Sequence, residues 1–257
     1  GSFIMFDRTT LINWLLLMSL VLLWGTSFMF VSISVESLHP LTTVFYRVFI
    51  GALILTAVAY AKGLKLPLSI SAWLSFIVMG AVGYVLPFFL ISWGQLSVNS
   101  GIAGMIMATM PLITMILAHY LVDGEDLNRY KVLGFTFGIG GIGVLLGPIF
   151  EGGGQAIYGG IAIFIAASSY AVNTILVRRL PKLNPFISTS GVLISATIIV
   201  FPIWLFVVPT NNTEVSTLIL GSTIWLGIGP TAIATLMLFA VINRAGPTFL
   251  STINYMI

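Results

Sequence analysis

The 257-residue chain is 58% apolar and only 7% charged, with a formal net charge of +3 and a mean hydropathy of +1.12. Soluble domains carry about 25% charged residues, so this composition excludes a water-soluble globule. No cysteine and only two histidines, His39 and His119, are present, which excludes thiolate chemistry, disulfides and a Cys- or His-built metal centre. No cofactor and no nucleic-acid partner is expected, and the positive charge is read as a topology signal.

Gly1-Ser2 resembles a tag-cleavage remnant and is set aside. The first apolar run, 10–33, exceeds a signal-peptide core and has no small-residue cleavage motif after it, so it is expected to stay as span 1. A hydrocarbon core of about 30 Å needs about 20 helical residues per crossing. Runs of that size follow at 40–61, 71–92, 100–121, 130–149, 157–178, 186–208 and 216–242, giving spans 2 to 8. A ninth begins near Pro247 and is cut short at Ile257. A helix stopping in mid-membrane leaves carbonyls without partners, so a truncated chain is expected.

Nine of the ten lysines and arginines (Arg8, Lys62, Lys65, Arg129, Lys131, Arg178, Arg179, Lys182 and Arg244) fall in or beside loops on one side. Loops on the other side, near 34–39, 93–99, 150–156 and 209–215, carry only Glu36, Glu151 and Glu214 as charges. Positive charge in short loops is retained in the cytoplasm, which places the N-terminus inside. Asp123, Glu125, Asp126 and Arg129 form a solvated inner-loop cluster, and Asn211-Asn212-Thr213 matches a glycosylation sequon by pattern only.

Sliding the chain against itself gives a weak match near an offset of 146 residues, with Pro40 over Pro185 and 89–110 over 236–257. That offset lays span 1 on span 6 and span 3 on span 8. Five spans per copy is an odd number, so the second copy enters the membrane in the opposite sense. The expected fold is an all-α integral membrane protein, a ten-helix inverted repeat (5+5) with nine spans present, the ninth partial. Residues 1–149 form the first repeat and 150–257 the second. Inverted repeats of this kind build many secondary transporters, with the substrate site near the midplane between halves.

Several segments carry a family resemblance: WGTSFMF at 24–30, FYRVFIGALIL at 45–55, GQLSVNSGIAGMIMATMPLITMILAHYLVDGEDL across span 4, NTILVRRL at 173–180 and AVINRAGPTFLSTIN after span 8. Their order and spacing resemble the EamA-type branch of the drug/metabolite transporter superfamily. The resemblance implies ten spans in two five-helix repeats and export or exchange of small metabolites, often amino acids, across the bacterial inner membrane. Two positions depart from internal symmetry: Ser168-Ser169-Tyr170 stands opposite Trp24-Gly25, and Val192 opposite Arg47.

Arg47 lies about 10 Å into span 2 at 1.5 Å per residue. A charge there belongs in the bundle interior, a wet cavity or beside a partner. It is either an anion anchor, a counter-ion that changes partner, a snorkelling cation or a clamp on neighbouring carbonyls; Glu36 is either its partner or a solvated loop carboxylate. Trp24, Gly25, Thr26 and Ser27 make a small, hydroxylated stretch that either admits a cavity or lets a helix approach. Tyr84 and Pro87 in span 3, with Pro230, Thr231 and Thr235 in span 8, mark either functional bends or static kinks. Tyr170, Asn173, Asn254 and Tyr255 complete the midplane candidates, whose amides either bind solute or bridge helices. The cavity set is thus Trp24, Arg47, Tyr84, Tyr170, Asn173, Thr235 and Asn254, with Gly25, Pro87 and Pro230 as bends. His119 lies near the inner end of span 4, where interfacial placement outweighs a proton relay. Gly134, Gly138, Gly143 and Gly147 in span 5 suit close helix packing, within the chain or in a homodimer; no GK[ST] accompanies them, so they are not a nucleotide loop.

The leading expectation is a secondary transporter binding a small molecule within the bilayer. A membrane enzyme would need a nucleophile with a base, or a metal cluster, and this sequence, with no Cys, two His near span ends and no paired Asp within a span, offers neither. The remaining alternative is a lipid or amphiphile flippase, or a structural membrane subunit.

Overall fold

The computed structural model describes residues 8–121, 129–145, 147, 153–179, 183–208, 215–238, 240–241 and 244. The expected ninth span, with Asn254 and Tyr255, lies outside the described residues. Those described form helices and turns, with no strand among them. Seven helices are long and apolar enough to cross a membrane: Thr10–Val35, Pro40–Ala61, Ile70–Gly94, Ser100–Leu121, Gly153–Val177, Pro185–Val207 and Thr217–Leu238. They match spans 1 to 4 and 6 to 8. Span 5 forms helix Arg129–Leu145, 17 residues long and shorter than the expected 130–149.

Large apolar side chains such as Leu22, Leu53, Ile198 and Phe206 face outward, while Ser34, Thr43, Arg47, Ser190 and Thr223 are buried. This distribution suits lipid, where helices associate through packing and interhelical hydrogen bonds rather than by escaping water. The protein is a multi-pass membrane protein.

Spans 2 and 7 begin alike. The His39 side chain accepts from the Leu41 N–H ahead of Pro40, and the Asn184 side chain accepts from the Phe186 N–H ahead of Pro185. Each cap satisfies an orphan donor, and each proline sits where a missing N–H costs nothing. The two helices pack together antiparallel. Trp204, late in span 7, donates its indole N–H to Thr42 Oγ1, early in span 2, at 3.0 Å. At the other end the Lys62 ammonium lies 5.1 Å from the Phe186 ring centroid. Phe45 stacks on Trp204 with centroids 4.7 Å apart.

Spans 3 and 8 change helical register. Span 3 runs Ile70–Gly80, then a π-helical segment Ala81–Val85, then Leu86–Gly94. Span 8 runs Thr217–Leu226 into a second π segment, Gly227–Ile233. Pro87 lies just beyond the first and Pro230 within the second; each lacks an N–H and crowds the carbonyl four residues back. Span 4, expected as one run, is two helices, Ser100–Met107 and Met110–Leu121. Pro111 cannot donate to the Met107 carbonyl, and Thr109 turns its hydroxyl to Ile106 O at 2.7 Å.

Each π segment opens at a glycine pressed against another helix. A methyl group on Gly80 would lie 3.0 Å from Val192 O and Ala196 N of span 7. One on Gly227 would lie 3.2 Å from Arg47 O and 2.7 Å from Ile50 Cβ of span 2. Further contacts join span 1 to span 8 and span 3 to span 6. The glycines of span 5 behave otherwise: methyls on Gly134, Gly143 and Gly147 would meet nothing within 4 Å, and one on Gly138 only the Leu112 side chain. The close packing expected of them within the chain is absent among the described residues.

Candidate functional site

The site grows from a backbone defect. Pro230 has no N–H, so the Leu226 carbonyl loses its helical partner. Thr231 fills the gap, its hydroxyl donating to Leu226 O at 2.9 Å. With its proton committed there, Thr231 Oγ1 is an acceptor, and Arg47 Nε donates to it at 3.0 Å. A proline in span 8 thereby creates a partner for a charge in span 2.

Arg47 is buried at 8% exposure, and its guanidinium carbon lies 3.8 Å from the Phe88 ring centroid. A desolvated cation over an aromatic face gains about 2 kcal/mol. An interhelical hydrogen bond in a membrane averages about 0.6 kcal/mol. Placing arginine at a helix centre costs about 2.5–3.5 kcal/mol on insertion scales. The two contacts offset most of that cost and supply no negative charge.

Trp24 reaches the same defect, its indole N–H donating to Pro230 O at 3.1 Å. Two residues singled out separately in the sequence are therefore partners. Tyr84, inside the first π segment, meets Phe88 edge-on with centroids 5.6 Å apart. Arg47 is within electrostatic reach of both Tyr84 and Tyr170. Span 6 clasps the first π segment: Ser169 donates to Val82 O at 2.5 Å. Asn173 packs against Gly83, where a methyl would sit 2.6 Å from the amide carbon and nitrogen. The Asn173 Oδ1 is buried without a partner.

Other candidates sit differently. Thr235 donates to Thr231 O at 2.6 Å, committing its proton within its own helix. Span 1 is unbroken as Arg8–Val35, and Thr26 and Ser27 bond Leu22 O and Trp24 O of that helix. A methyl on Gly25 would meet nothing within 4 Å, so the helix approach considered for Gly25 is not formed among the described residues. Glu36, the only carboxylate among the described residues, is exposed; Arg47 bonds Thr231 instead, so the Glu36 pairing is replaced. His119 lies edge-on to Tyr120 with ring centroids 4.9 Å apart. Pro87 is buried one residue from Phe88. The structure thus gathers Arg47, Tyr84 and Tyr170, with Trp24 and Pro230 joined to them through Thr231's segment. Sequence reasoning missed Phe88 and Ser169. Phe88 is one of 18 phenylalanines, and its spacing of one helical turn from Tyr84 was the only available signal.

The family model described as "EamA-like transporter family" matches residues 11–147. An uncharacterized transporter of Bacillus subtilis, YoaV, is 26% identical over 160 residues, 61% of this chain and 53% of that protein. A chloroplastic WAT1-related protein of Arabidopsis thaliana is 27% identical over 190 residues, 71% of this chain and 44% of that protein. An uncharacterized inner membrane transporter of Escherichia coli, YedA, is 28% identical over 170 residues, 64% of this chain and 52% of that protein. The chain spans about half the length of these curated relatives. One solved crystal structure superposes with a TM-score of 0.64 at 22% identity, covering 93% of this chain and 85% of that one, a likeness of fold. With more than half of its residues inside the family match and a helical multispan body to carry them, the chain belongs to the EamA-like transporter family, within the drug/metabolite transporter superfamily.

Proposed function

We propose that this protein is a secondary transporter, an exporter or exchanger of small metabolites such as amino acids. It works in the bacterial inner membrane with its N-terminus cytoplasmic, by alternating access around a midplane cavity. The fold this requires is the ten-helix inverted repeat, with 1–149 in one half and 150–257 in the other. The proposed cavity residues are Trp24, Arg47, Tyr84, Tyr170, Asn173 and Thr235, with Asn254, outside the described residues, completing the set.

One paired observation carries the reading. Gly80 faces the carbonyl of Val192, and Gly227 faces the carbonyl of Arg47. Gly80 and Gly227 stand 147 positions apart, and Arg47 and Val192 stand 145 apart, close to the sequence offset. Each contact joins one proposed half to the other where a π segment begins. The matching caps of antiparallel spans 2 and 7 support the same exchange. Two halves with similar internal contacts differ little in free energy when they trade conformations, which makes both openings accessible. A solute gradient or proton exchange drives the cycle, and the scarcity of acidic residues in the spans argues against a proton relay and for facilitated solute exchange.

Uptake into proteoliposomes tests this, using a panel of amino acids, nucleosides and sugars at several pH gradients. Saturable uptake accelerated by solute on the opposite side supports the reading. Absence of uptake for every solute, alongside scrambling of labelled lipid, supports the flippase alternative instead.

A further inference from the structure

We propose that the guanidinium of Arg47 is the docking point for the carboxylate of a monoanionic or zwitterionic solute with an apolar body. This rests on the transport reading and names its substrate class. A guanidinium carries five N–H donors. Among the described residues the only hydrogen bond from Arg47 is Nε to Thr231, leaving the four terminal N–H groups without an acceptor. The residue is 8% exposed, so bulk solvent does not stand in for those acceptors. The hydroxyls of Tyr84 and Tyr170 likewise have no hydrogen bond among the described residues. Three polar groups with no hydrogen-bond partner left for these atoms among the described residues thus lie within electrostatic reach of one another inside a membrane protein.

The chemistry of the occupant follows from charge and shape. Thr231 pins Nε and Phe88 holds the face of the plane, so the terminal nitrogens form a fixed two-donor edge. That edge matches the two oxygens of a carboxylate, a pairing lysine cannot reproduce. No described carboxylate shares the interior with Arg47, since the one described carboxylate, Glu36, is exposed. A single cation balances a single anion; a phosphate dianion would leave one negative charge unpaired in low dielectric. Phe88, Tyr84 and Tyr170 provide apolar and aromatic surface beside the cation. The tyrosine hydroxyls remain to donate to a carboxylate lone pair or to accept from an ammonium.

The test measures binding of matched probes to the purified full chain in detergent, by intrinsic tryptophan fluorescence and thermal shift. The probes are phenylalanine against phenylalaninamide, 3-phenylpropionate against 3-phenylpropionamide, and phenyl phosphate. The carboxylates should bind at least about tenfold more tightly than their amides, as expected when a charged hydrogen-bonding site loses its partner. Arg47→Gln should erase that preference, Arg47→Lys should retain only part of it, and Thr231→Val should weaken carboxylate binding several-fold. Equal binding of acid and amide, tighter binding of phenyl phosphate, or failure of every probe to bind at millimolar concentration overturns the assignment, and needs only the unaltered protein. A preference that survives Arg47→Gln overturns it as well. Carboxylate selectivity without vesicle uptake would remove the transport reading and leave the site standing. Uptake of uncharged sugars with no acid preference would do the reverse.

Discussion

Where span 8 crosses span 2, Gly227 approaches the carbonyl of Arg47; where span 3 crosses span 7, Gly80 approaches the carbonyl of Val192. The two backbone approaches differ by only a few tenths of an ångström, at 3.2 and 3.0 Å for a notional methyl. The side chains are opposite in cost. Val192 is an apolar residue at 2% exposure, while Arg47 is a cation at 8%. Glycine and a facing carbonyl are therefore enough to build such a crossing, and a charge is not needed for it. Arg47 answers to something other than packing, which is why the unpaired edge of its guanidinium becomes the centre of the functional account.

The comparison breaks most visibly at the glycines. Gly80→Leu drives a side chain into the span 7 backbone at Val192 and Ala196, and Gly227→Leu drives one into Ile50 and the Arg47 carbonyl of span 2. Overpacking costs about 1–3 kcal/mol even where neighbours can adjust. Both variants should lose the monodisperse peak in size-exclusion chromatography, and to the same degree. Damage at only one would mean that the crossings are not equivalent.

Val192→Arg copies the charge to the crossing without Thr231 and without Phe88 beneath it. The expected destabilisation is about 2.5–3.5 kcal/mol, read as a lower melting temperature. A variant as stable as the parent would remove the contrast between the two sites. Arg47→Leu makes the opposite change. Because the contacts to Phe88 and Thr231 offset most of the cost of the buried charge, an apolar replacement is expected to change stability by less than about 1 kcal/mol, while solute uptake is lost. Smallest is Trp24→Phe, which deletes the indole bond to Pro230 O; a loss of about 0.6 kcal/mol is expected in thermal unfolding.

Spans were legible in the sequence because hydropathy reports the one thing a lipid-facing helix must satisfy. Span 2 was read as 40–61 and is Pro40–Ala61. Arg47 stood out for the same reason, as the charge in a run that should have none. Hydrogen-bond register was not legible, because hydropathy is blind to which carbonyl an N–H meets. Pro87 and Pro230 signalled interruption, yet the π segments beside them and the break at 108–109 in span 4 depend on local backbone choices. Opposite charge made Glu36 a candidate partner for Arg47, and its exposure fits the other reading, a solvated loop carboxylate. The acceptor actually used is a threonine hydroxyl oriented by its neighbour proline, a relation visible only once Leu226 O and Arg47 Nε are both placed. The span 5 glycines show the limit of small-residue patterns: the spacing is there, and the described chain leaves the face open.

The chain has no cysteine, so engineered pairs carry spin labels without ambiguity. Ser37→Cys with Leu218→Cys reports one membrane face across the two halves, and Lys62→Cys with Leu183→Cys reports the other. Pulsed electron-resonance distances would be taken in lipid nanodiscs, with and without a solute that proteoliposomes take up. Alternating access predicts that one distance lengthens as the other shortens. Two distances that stay fixed, or change in the same sense, would contradict it.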